Sequence, residues 1–463
     1  MKDLTQGPIP GHLLRMAGPI AIGMLFQMLY VLVDLYFIAQ LGDAAIAGVS
    51  TAGSVQFVVM AATQVLGVGT MALIAQAVGR RDQDDANRVF NQSLLLGVLC
   101  AALTLLLGYG FADRYVGTLS ADAATTAAGL DFLHWFLPGL ALQFMLAGMG
   151  SALRGTGITK PTMVVQMLTV VLNALLAPVL IAGWLTGKPL GVAGAALAST
   201  LSIVVGVGMM ALYFTRLEHY VCFDAKQLAP QLAVCKRILV VGLPPGGEFA
   251  LMFVYLSVIY WLIRDFGAAA QAGFGVGSRV MQAIFLPAMA VAFAAGPVAG
   301  QNVGAGFGDR VRETFRSAAL ISIVLMFALT LLCQWHPEIL VRLFTPDTAV
   351  ITVAAGFLGI ISWNFVATGL IFTASGMFQA LGNTVPAFLS SASRVITFVL
   401  PALWLSQQSG FQLWQLWWLS VATVALQAVL SYLLLRREFS RRLPLLKPLP
   451  PTVSPATQID ASS

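Results

Sequence analysis

Charged residues are scarce in this chain of 463 residues. They make up 10% of it, whereas soluble proteins carry about 25%. Hydrophobic residues make up 58%, and the mean hydropathy is +0.86. A soluble chain this apolar would have too little polar surface to face water. The shortage of charge therefore excludes a soluble enzyme, and we interpret the net charge of +6 as a matter of membrane topology, not of nucleic-acid binding.

Motifs for bound cofactors are also missing. No phosphate-binding G-x-x-x-x-G-K-[ST] loop occurs, which argues against ATP use through that motif. No TVGYG-like filter of a potassium channel is present. The four cysteines form no C-x-x-C pair, and the four histidines are scattered, so zinc sites and His-Asp catalysis are disfavoured. We expect no enzyme activity and no cofactor. These residues are Cys100, Cys222, Cys235, Cys333, His12, His134, His219 and His336.

Long apolar runs are what the sequence does contain. Each exceeds the roughly 20 residues that a helix needs to cross a bilayer, and none alternates as a β-barrel strand would. The runs predict an all-α polytopic membrane protein with twelve transmembrane helices. We place them at residues 13–40, 46–78, 89–111, 127–152, 162–183, 191–214, 238–263, 270–301, 316–335, 351–380, 386–406 and 413–435.

Lysine and arginine predict the orientation of these spans. If the N-terminus is cytoplasmic, the cytoplasmic segments hold 19 basic residues and the opposite loops hold 4, with two more near or within spans. Because basic residues favour the cytoplasmic side, we expect both termini in the cytoplasm of a multi-pass protein of the bacterial inner membrane.

An internal repeat divides the chain at a constant offset of 225 residues. Pro19 matches Pro244, the segment 76–79 matches 301–304, and 157–161 matches 382–386. Six spans per copy predict two parallel six-helix lobes related by a pseudo-two-fold axis along the membrane normal, as in alternating-access transporters. The predicted parts are an N-terminal lobe at 1–215, a cytoplasmic linker at 216–237, a C-terminal lobe at 238–440 and a disordered tail at 441–463.

Two acidic residues, Asp34 and Glu248, fall clearly inside predicted spans, where charge is costly and usually functional. Asp34 lies nine residues before Asp43, about 13 Å from the outer end of its helix. It is either a proton-binding group or a carboxylate held permanently by hydrogen bonds. Glu248 follows Pro244–Gly247, which favour a helix start, and an acidic side chain there also suits the helix dipole. A functional and a structural role both stay open for Glu248.

Other polar residues within the spans are candidates for a substrate cavity. Arg394 lies deep in the eleventh span, and Arg279 lies near the start of the eighth, where it can reach outward. Each uncharged candidate can equally make an interhelical hydrogen bond. The substrate-cavity candidates are Gln27, Tyr30, Ser199, Asn364, Thr368 and Arg394, and Asn173 is a further polar residue of the cleft.

Several motifs together give a resemblance to a known family. They are Pro19 with Asp34 in the first span, the ends Gln76–Gly79 and Gln301–Gly304, the loops 157–161 and 382–386, and the segment Gly194–Ser199. In these the sequence resembles the multidrug and toxic compound extrusion (MATE) family over about residues 10–440. The resemblance implies a twelve-helix, two-lobe exporter that exchanges protons or sodium ions for organic, often cationic, compounds.

The resemblance also suggests roles for individual residues. Asp34 matches the first-helix aspartate of cation coupling, and Asn173 matches the fifth-helix asparagine that accompanies it. Some members carry an aspartate where this chain has Ala177, which favours protons here. Glu248 stands about one turn nearer the helix start than the glutamate of NorM-type members, and the tenth span has no acidic residue. The DinF-like branch is therefore the nearer relative.

These observations predict a secondary antiporter. Protonation of Asp34 from outside would loosen its hold on a cationic substrate, and proton release inward would restore binding. The expected partners are a small organic substrate and the lipid bilayer, without nucleic acid, and the protein is expected to be monomeric. The alternatives are a flippase for a lipid-linked substrate, which should have a cavity rich in arginine and lysine, and a non-transporting membrane enzyme or channel.

Overall fold

The structure is a computed structural model that describes residues 1–119, 122–184, 187–342 and 344–448. The first half of the chain forms six long helices that cross back and forth. Their apolar side chains suit a bilayer, where a helix satisfies every backbone hydrogen bond within itself. These helices are α1 (Ile9–Ala39), α2 (Asp43–Gly79), α3 (Gln83–Leu119), α4 (Ala123–Gly155), α5 (Lys160–Ala182) and α6 (Gly191–Arg216).

The second half repeats this order with two additions. A short helix, α10, follows the third long one, and the next span is divided by a 3-10 turn at Ser362–Asn364. The helices are α7 (Leu232–Ile263), α8 (Ala268–Gly304), α9 (Gly308–Trp335), α10 (Pro337–Arg342), α11 (Thr348–Ile361), α12 (Phe365–Ala380), α13 (Val385–Ser406) and α14 (Leu413–Arg442). The seventh span thus begins at Leu232, six residues before the predicted start.

Within the described residues, twelve helical segments are long and apolar enough to cross a membrane, with α11 and α12 counted as one. This confirms the predicted all-α class and the number of spans. We call α1–α6 the N-terminal lobe and α7–α14 the C-terminal lobe. The predicted domain boundaries stay a prediction. The face where α1 begins and α14 ends is named the termini face, and the face where α1 ends and α14 begins is the distal face.

Helix α1 contacts both lobes. In its first half Ile9, Leu13 and Met16 are buried in one hydrophobic cluster with Ala294 and Val298 of α8. Its second half instead approaches α5 and α6. One helix therefore connects the C-terminal lobe at the termini face to the interior of the N-terminal lobe nearer the distal face.

The lobes meet near the termini face through reciprocal contacts. Gln76 Nε2 donates a hydrogen bond to the Ala380 carbonyl at 2.8 Å, and Gln301 Nε2 donates to the Gly155 carbonyl at 3.1 Å. The two donor residues, Gln76 and Gln301, are 225 positions apart, and the two acceptor residues, Gly155 and Ala380, are separated by the same offset. Two equivalent contacts of this kind are what a pseudo-two-fold relation between the lobes produces.

An ion pair closes the same face. Both oxygens of Asp85 at the start of α3 accept from Arg237 of α7, at 2.9 and 3.1 Å, and Arg80 donates to Asp85 Oδ2 at 2.8 Å. The bidentate geometry makes this a directional contact between the lobes. Separating the lobes at the termini face therefore requires breaking it.

The segment between the lobes is fastened to α3 by buried amides. Asn91 donates to the Cys222 carbonyl at 3.0 Å and accepts from the Asp224 N–H at 3.0 Å. Gln92 donates to the carbonyls of Gln227 and Ala229. Both amides lie inside the predicted third span, and they supply the hydrogen-bond partners that the linker backbone lacks.

We expect Asn91→Leu to destabilise the protein. Asn91 is fully buried, and the substitution leaves the Asp224 N–H and the Cys222 carbonyl without their partner, which costs about 2–3 kcal/mol. The unfolding temperature in detergent should fall by about 5 °C, measured by static light scattering or intrinsic fluorescence. Gln408→Leu, which alters an exposed amide, is the matched control. An unchanged unfolding temperature for Asn91→Leu would contradict this role.

The predicted disordered tail begins with ordered residues. Leu443 is 4% exposed and packs in the same cluster as the start of α1. Lys447 and Pro448 lie against Gly306, which follows α8. Residues 449–463 of the predicted tail lie outside the described residues.

Candidate functional site

Asp34 is held between three helices of the N-terminal lobe. Asn173 Nδ2 of α5 donates to Asp34 Oδ1 at 3.0 Å, and Ser199 Oγ of α6 donates to Asp34 Oδ2 at 3.2 Å. The same amide nitrogen lies 3.1 Å from Ser199 Oγ. Asn173 and Ser199 are 1% and 0% exposed. The three residues therefore form one closed hydrogen-bonded group around the carboxylate.

A polar stripe on α1 extends this group. Tyr30 precedes Asp34 by one helical turn and so shares its face, and its buried hydroxyl lies beside Asp34, Asn173 and Ser199. Gln27 follows on the same face but is exposed. Further along, Gly23 backs directly onto Gln166 of α5. Sequence reasoning missed Gln166, although its spacing of seven residues from Asn173 places both on one face of α5.

Helix bounds correct the position of Asp34. The prediction measured its depth from Asp43, but α1 ends at Ala39 and α2 begins at Asp43. Asp34 is five residues from the distal end of α1, about 7.5 Å. It lies closer to the distal face than the predicted 13 Å, so the path from that face to the carboxylate is shorter.

The Asp34 group suits reversible proton binding. Both carboxylate oxygens accept hydrogen bonds, which favour the charged form, while the apolar surroundings oppose it. A bound proton would remove the charge and one acceptor position. The neighbouring Asn173 Oδ1 is buried without a hydrogen-bond partner among the described residues. This oxygen can therefore accept a hydrogen bond from the protonated carboxyl group.

Sodium fits this group less well. Hard cations take several oxygen ligands, and Ala177, one turn beyond Asn173, supplies no side-chain oxygen. The Asn173 amide also presents its nitrogen to Asp34. A cation on Asp34 would meet this donor, and the amide would have to turn.

Glu248 lies in the middle of α7. The helix runs without a break from Leu232 to Ile263 through Pro244 and Pro245, so the predicted helix start before Glu248 is wrong. Glu248 is 16 residues from the start of α7, about 24 Å. Its Oε1 is buried and has no hydrogen-bond partner within the described ranges. The dipole of a helix start cannot explain this carboxylate, which leaves the functional interpretation as a prediction.

Arg394 lies at the middle of α13, on the side that faces α7. Its guanidinium carbon is 4.5 Å from the centre of the Tyr255 ring, and the Tyr255 hydroxyl lies 2.9 Å from Ser420 Oγ. Arg394 Nε is buried without a partner among the residues described. Within that part of the chain, Arg394 and Glu248 are not ion-paired. The C-terminal lobe thus holds two opposite charges at mid-membrane without joining them.

The remaining cavity candidates are divided between the lobes. Asn364 and Thr368 are 4% and 8% exposed and lie where α11 passes into α12. They belong to the C-terminal lobe, whereas Tyr30 and Ser199 surround Asp34 in the N-terminal lobe. The structure therefore brings together Asp34, Tyr30, Asn173 and Ser199, and it places Glu248, Arg394, Asn364 and Thr368 elsewhere.

The space between the lobes opens toward the distal face. Near the termini face, Gly242 of α7 touches the Val65 backbone of α2, and Gly304 touches Gln76. Halfway along, the rings of Phe57 and Phe253 are 6.4 Å apart. Beyond them, α2 packs on α4 and α8 packs on α11, each within its own lobe. This arrangement leaves a cleft between the lobes that is closed at the termini face.

A family model matches the chain twice. The model is described as MatE, and it covers residues 19–179 and 244–404. The chain belongs to the MatE family. The two matches are separated by the 225-residue offset at both ends, so each copy of the repeat carries one family unit. Membership confirms the predicted resemblance and the prediction of a transporter in place of an enzyme.

Curated relatives of this MatE protein are named for multidrug export or multidrug resistance. It is 27% identical over 420 residues to the multidrug export protein MepA of Staphylococcus aureus, covering 87% of this chain and 91% of MepA. It is 26% identical over 395 residues to the probable multidrug resistance protein NorM of Thermotoga maritima, covering 84% of each.

Solved structures share the fold of this MatE protein. A MOP superfamily transporter from Pyrococcus furiosus, described as having a binding pocket of reverse polarity, matches with a TM-score of 0.87 at 24% identity over 94% of this chain and 97% of that one. The outward-facing conformation of a multidrug resistance MATE family transporter matches with the same score, identity and coverage. These structures show the MATE fold, and family membership makes the chain a multi-pass membrane transporter.

Proposed function

We propose that this protein exports organic, cationic compounds in exchange for protons by alternating access. The observation that carries the proposal is the half-buried carboxylate of Asp34, bound on both oxygens by Asn173 and Ser199. A carboxylate that can lose its charge at this depth is a natural coupling group. The names of MepA and NorM support multidrug compounds as cargo.

Proton binding changes what the N-terminal lobe can hold. With Asp34 charged, the group attracts an organic cation and keeps the hydrogen bonds from α5 and α6. With Asp34 protonated, the attraction is lost and the carboxyl group gains an O–H that Ser199 Oγ or Asn173 Oδ1 can accept. The hydrogen bonds that join α1 to α5 and α6 therefore change with the proton, which couples protonation to the contact between these helices.

The energetics are sufficient for this cycle. One proton exchanged for one monovalent cation moves no net charge, so the pH difference drives this cycle. Each unit of pH difference supplies about 1.4 kcal/mol and sustains a substrate gradient of about tenfold. The excess of basic residues at the termini face supports termini in the cytoplasm. The cleft that opens at the distal face then faces outward, in the state that releases substrate and receives the proton. The monomeric state stays a prediction.

Transport by purified protein in liposomes tests the proposal. Ethidium movement is followed by fluorescence with an imposed pH gradient, with an imposed sodium gradient, and with neither. We expect transport with the pH gradient alone, abolished by nigericin, and no response to sodium alone. Transport that follows only the sodium gradient would contradict proton coupling, and no ethidium movement under any gradient, in an orientation-controlled sample, would contradict export of cations.

A further inference from the structure

A cavity of about 530 Å³ lies between α7 and α8, away from the Asp34 group. Among the described residues that line it are Tyr260 of α7 and Gln271, Ser278, Arg279 and Gln282 of α8. None of the substrate-cavity residues predicted from the sequence lines it. Sequence reasoning left Arg279 as a residue that reaches outward from the helix start.

The cavity faces the cleft between the lobes. Gln282 precedes Gly296 by 14 residues, which is about four turns, so they share a face, and Gly296 contacts Met71 of α2. On α7, Tyr260 follows Gly246 by the same interval, and Gly246 contacts Val65 of α2. The sides of α7 and α8 that contact the N-terminal lobe near the termini face therefore also line the cavity, which lies closer to the distal face.

Arg279 gives the cavity a positive charge within the membrane. It lies 11 residues into α8, about 16 Å from the distal end of the helix and about 10 Å from its midpoint. It is exposed, and within the described residues it makes no ion pair. A charged side chain at this depth is costly unless it pairs with another group or serves a transport pathway. Arg279 lies on the side of α8 that borders the cleft.

The other walls supply donors and an aromatic surface. Ser278 is 7% exposed, and its buried Oγ has no partner among the described residues. The amides of Gln271 and Gln282 line the same space. The Tyr260 ring meets Phe274 edge-on at 5.0 Å, and Phe274 stacks on Trp417 at 5.6 Å. A ligand here finds a guanidinium, a free hydroxyl and flat apolar walls.

We propose that this cavity binds the carboxylate of an aromatic organic anion, with Arg279 as the principal anion-binding residue. The guanidinium fork matches the two oxygens of a carboxylate, and Ser278 Oγ and the glutamine amides add donors around it. The aromatic body of the ligand lies against Tyr260 and Phe274. The cargo of the transporter then includes aromatic molecules that carry a carboxylate. The statement about cargo rests on the proposed function, but binding of the anion to the cavity can be tested without transport.

Equilibrium binding of radiolabelled 2-naphthoate to the detergent-purified protein tests the site. Loss of a hydrogen-bonded charge should weaken binding about 10- to 100-fold in Arg279→Gln, and loss of the hydroxyl should weaken it about fivefold in Ser278→Ala. Arg342→Gln is the matched control. Arg342 is an exposed arginine near the distal face, and it pairs with Glu338. Its affinity should equal that of the unmodified protein.

Three results would overturn the inference. They are no binding of 2-naphthoate by the unmodified protein, equal affinity in Arg279→Gln and the unmodified protein, and displacement by micellar phosphatidylglycerol at a lower concentration than by unlabelled 2-naphthoate. The last would assign the site to a lipid headgroup. If Arg279→Gln fails to fold, as judged by gel filtration, Ser278→Ala decides the matter. Ethidium transport is measured in parallel to separate the two proposals. If ethidium is not transported but 2-naphthoate still binds, only the proposed function is contradicted.

Discussion

Asp34→Asn is expected to abolish proton-driven ethidium efflux while the protein stays folded. The amide is nearly the size of the carboxyl group but cannot exchange a proton. Without that exchange the N-terminal lobe has a single charge state, so the pH gradient has nothing to act on there. Transport in liposomes should fall to the level of protein-free vesicles, measured as ethidium fluorescence after a pH jump.

The control for Asp34→Asn is Asp43→Asn. Asp43 is exposed at the start of α2, only nine residues away, and its loss changes the net charge equally. It should leave transport unchanged. Binding of ethidium to the purified Asp34→Asn protein tests the second part of the role, because the missing charge should weaken the affinity about tenfold. Proton-driven efflux by a folded Asp34→Asn protein would refute the mechanism.

Gly242→Val is expected to prevent closure of the cleft at the termini face. A Cβ atom at Gly242 would overlap the carbonyl oxygen of Val65 in α2, and the neighbouring atoms are backbone that cannot turn aside. Overpacking of this kind costs about 1–3 kcal/mol or more. Because the contact joins the two lobes, the strain is relieved by parting them. The state open at the distal face should therefore be depleted and transport reduced about tenfold.

Cysteine labelling measures this change directly. The reporter is a cysteine in place of Met71, a buried residue of α2 that contacts Gly296 of α8, in a background without the four native cysteines. In everted vesicles it should react faster with a membrane-impermeant maleimide in Gly242→Val than in the parent protein. Gly208→Val is the control, since a Cβ atom at Gly208 in α6 meets nothing within 4 Å. If labelling and transport are the same in Gly242→Val and its parent, the contact does not hold the lobes together.

The helical spans could be predicted from the sequence because hydropathy is a local property. Each apolar run determines its own helix, whatever its neighbours are, since the bilayer leaves few other structures for the backbone. The errors arose where a local signal was ambiguous. Pro244 and Pro245 suggested a helix start, yet α7 continues through both, because prolines are tolerated in membrane helices when neighbours satisfy the freed carbonyl groups.

The candidate site was only half visible in the sequence. An acidic residue within an apolar run is recognisable from the local sequence, so Asp34 could be identified without a structure. Asn173 was assigned to it only through the family resemblance, and Ser199 was one of several polar residues without a partner. Ser199 is 165 positions away from Asp34, and no local pattern reports which helices face each other. For the same reason Gln166 was overlooked.

The sequence alone determined the number of spans and their repeat at an offset of 225 residues. It also predicted the side of the termini and identified Asp34 and Glu248 as acidic residues within spans. The tertiary structure decided what those features meet. It joined Asp34 to Asn173 and Ser199, kept Glu248 and Arg394 apart, and placed Arg279 in a cavity that faces the cleft. Burial in lipid is fixed by composition along one helix, whereas hydrogen bonding and cavity shape depend on the rotation and packing of several helices at once.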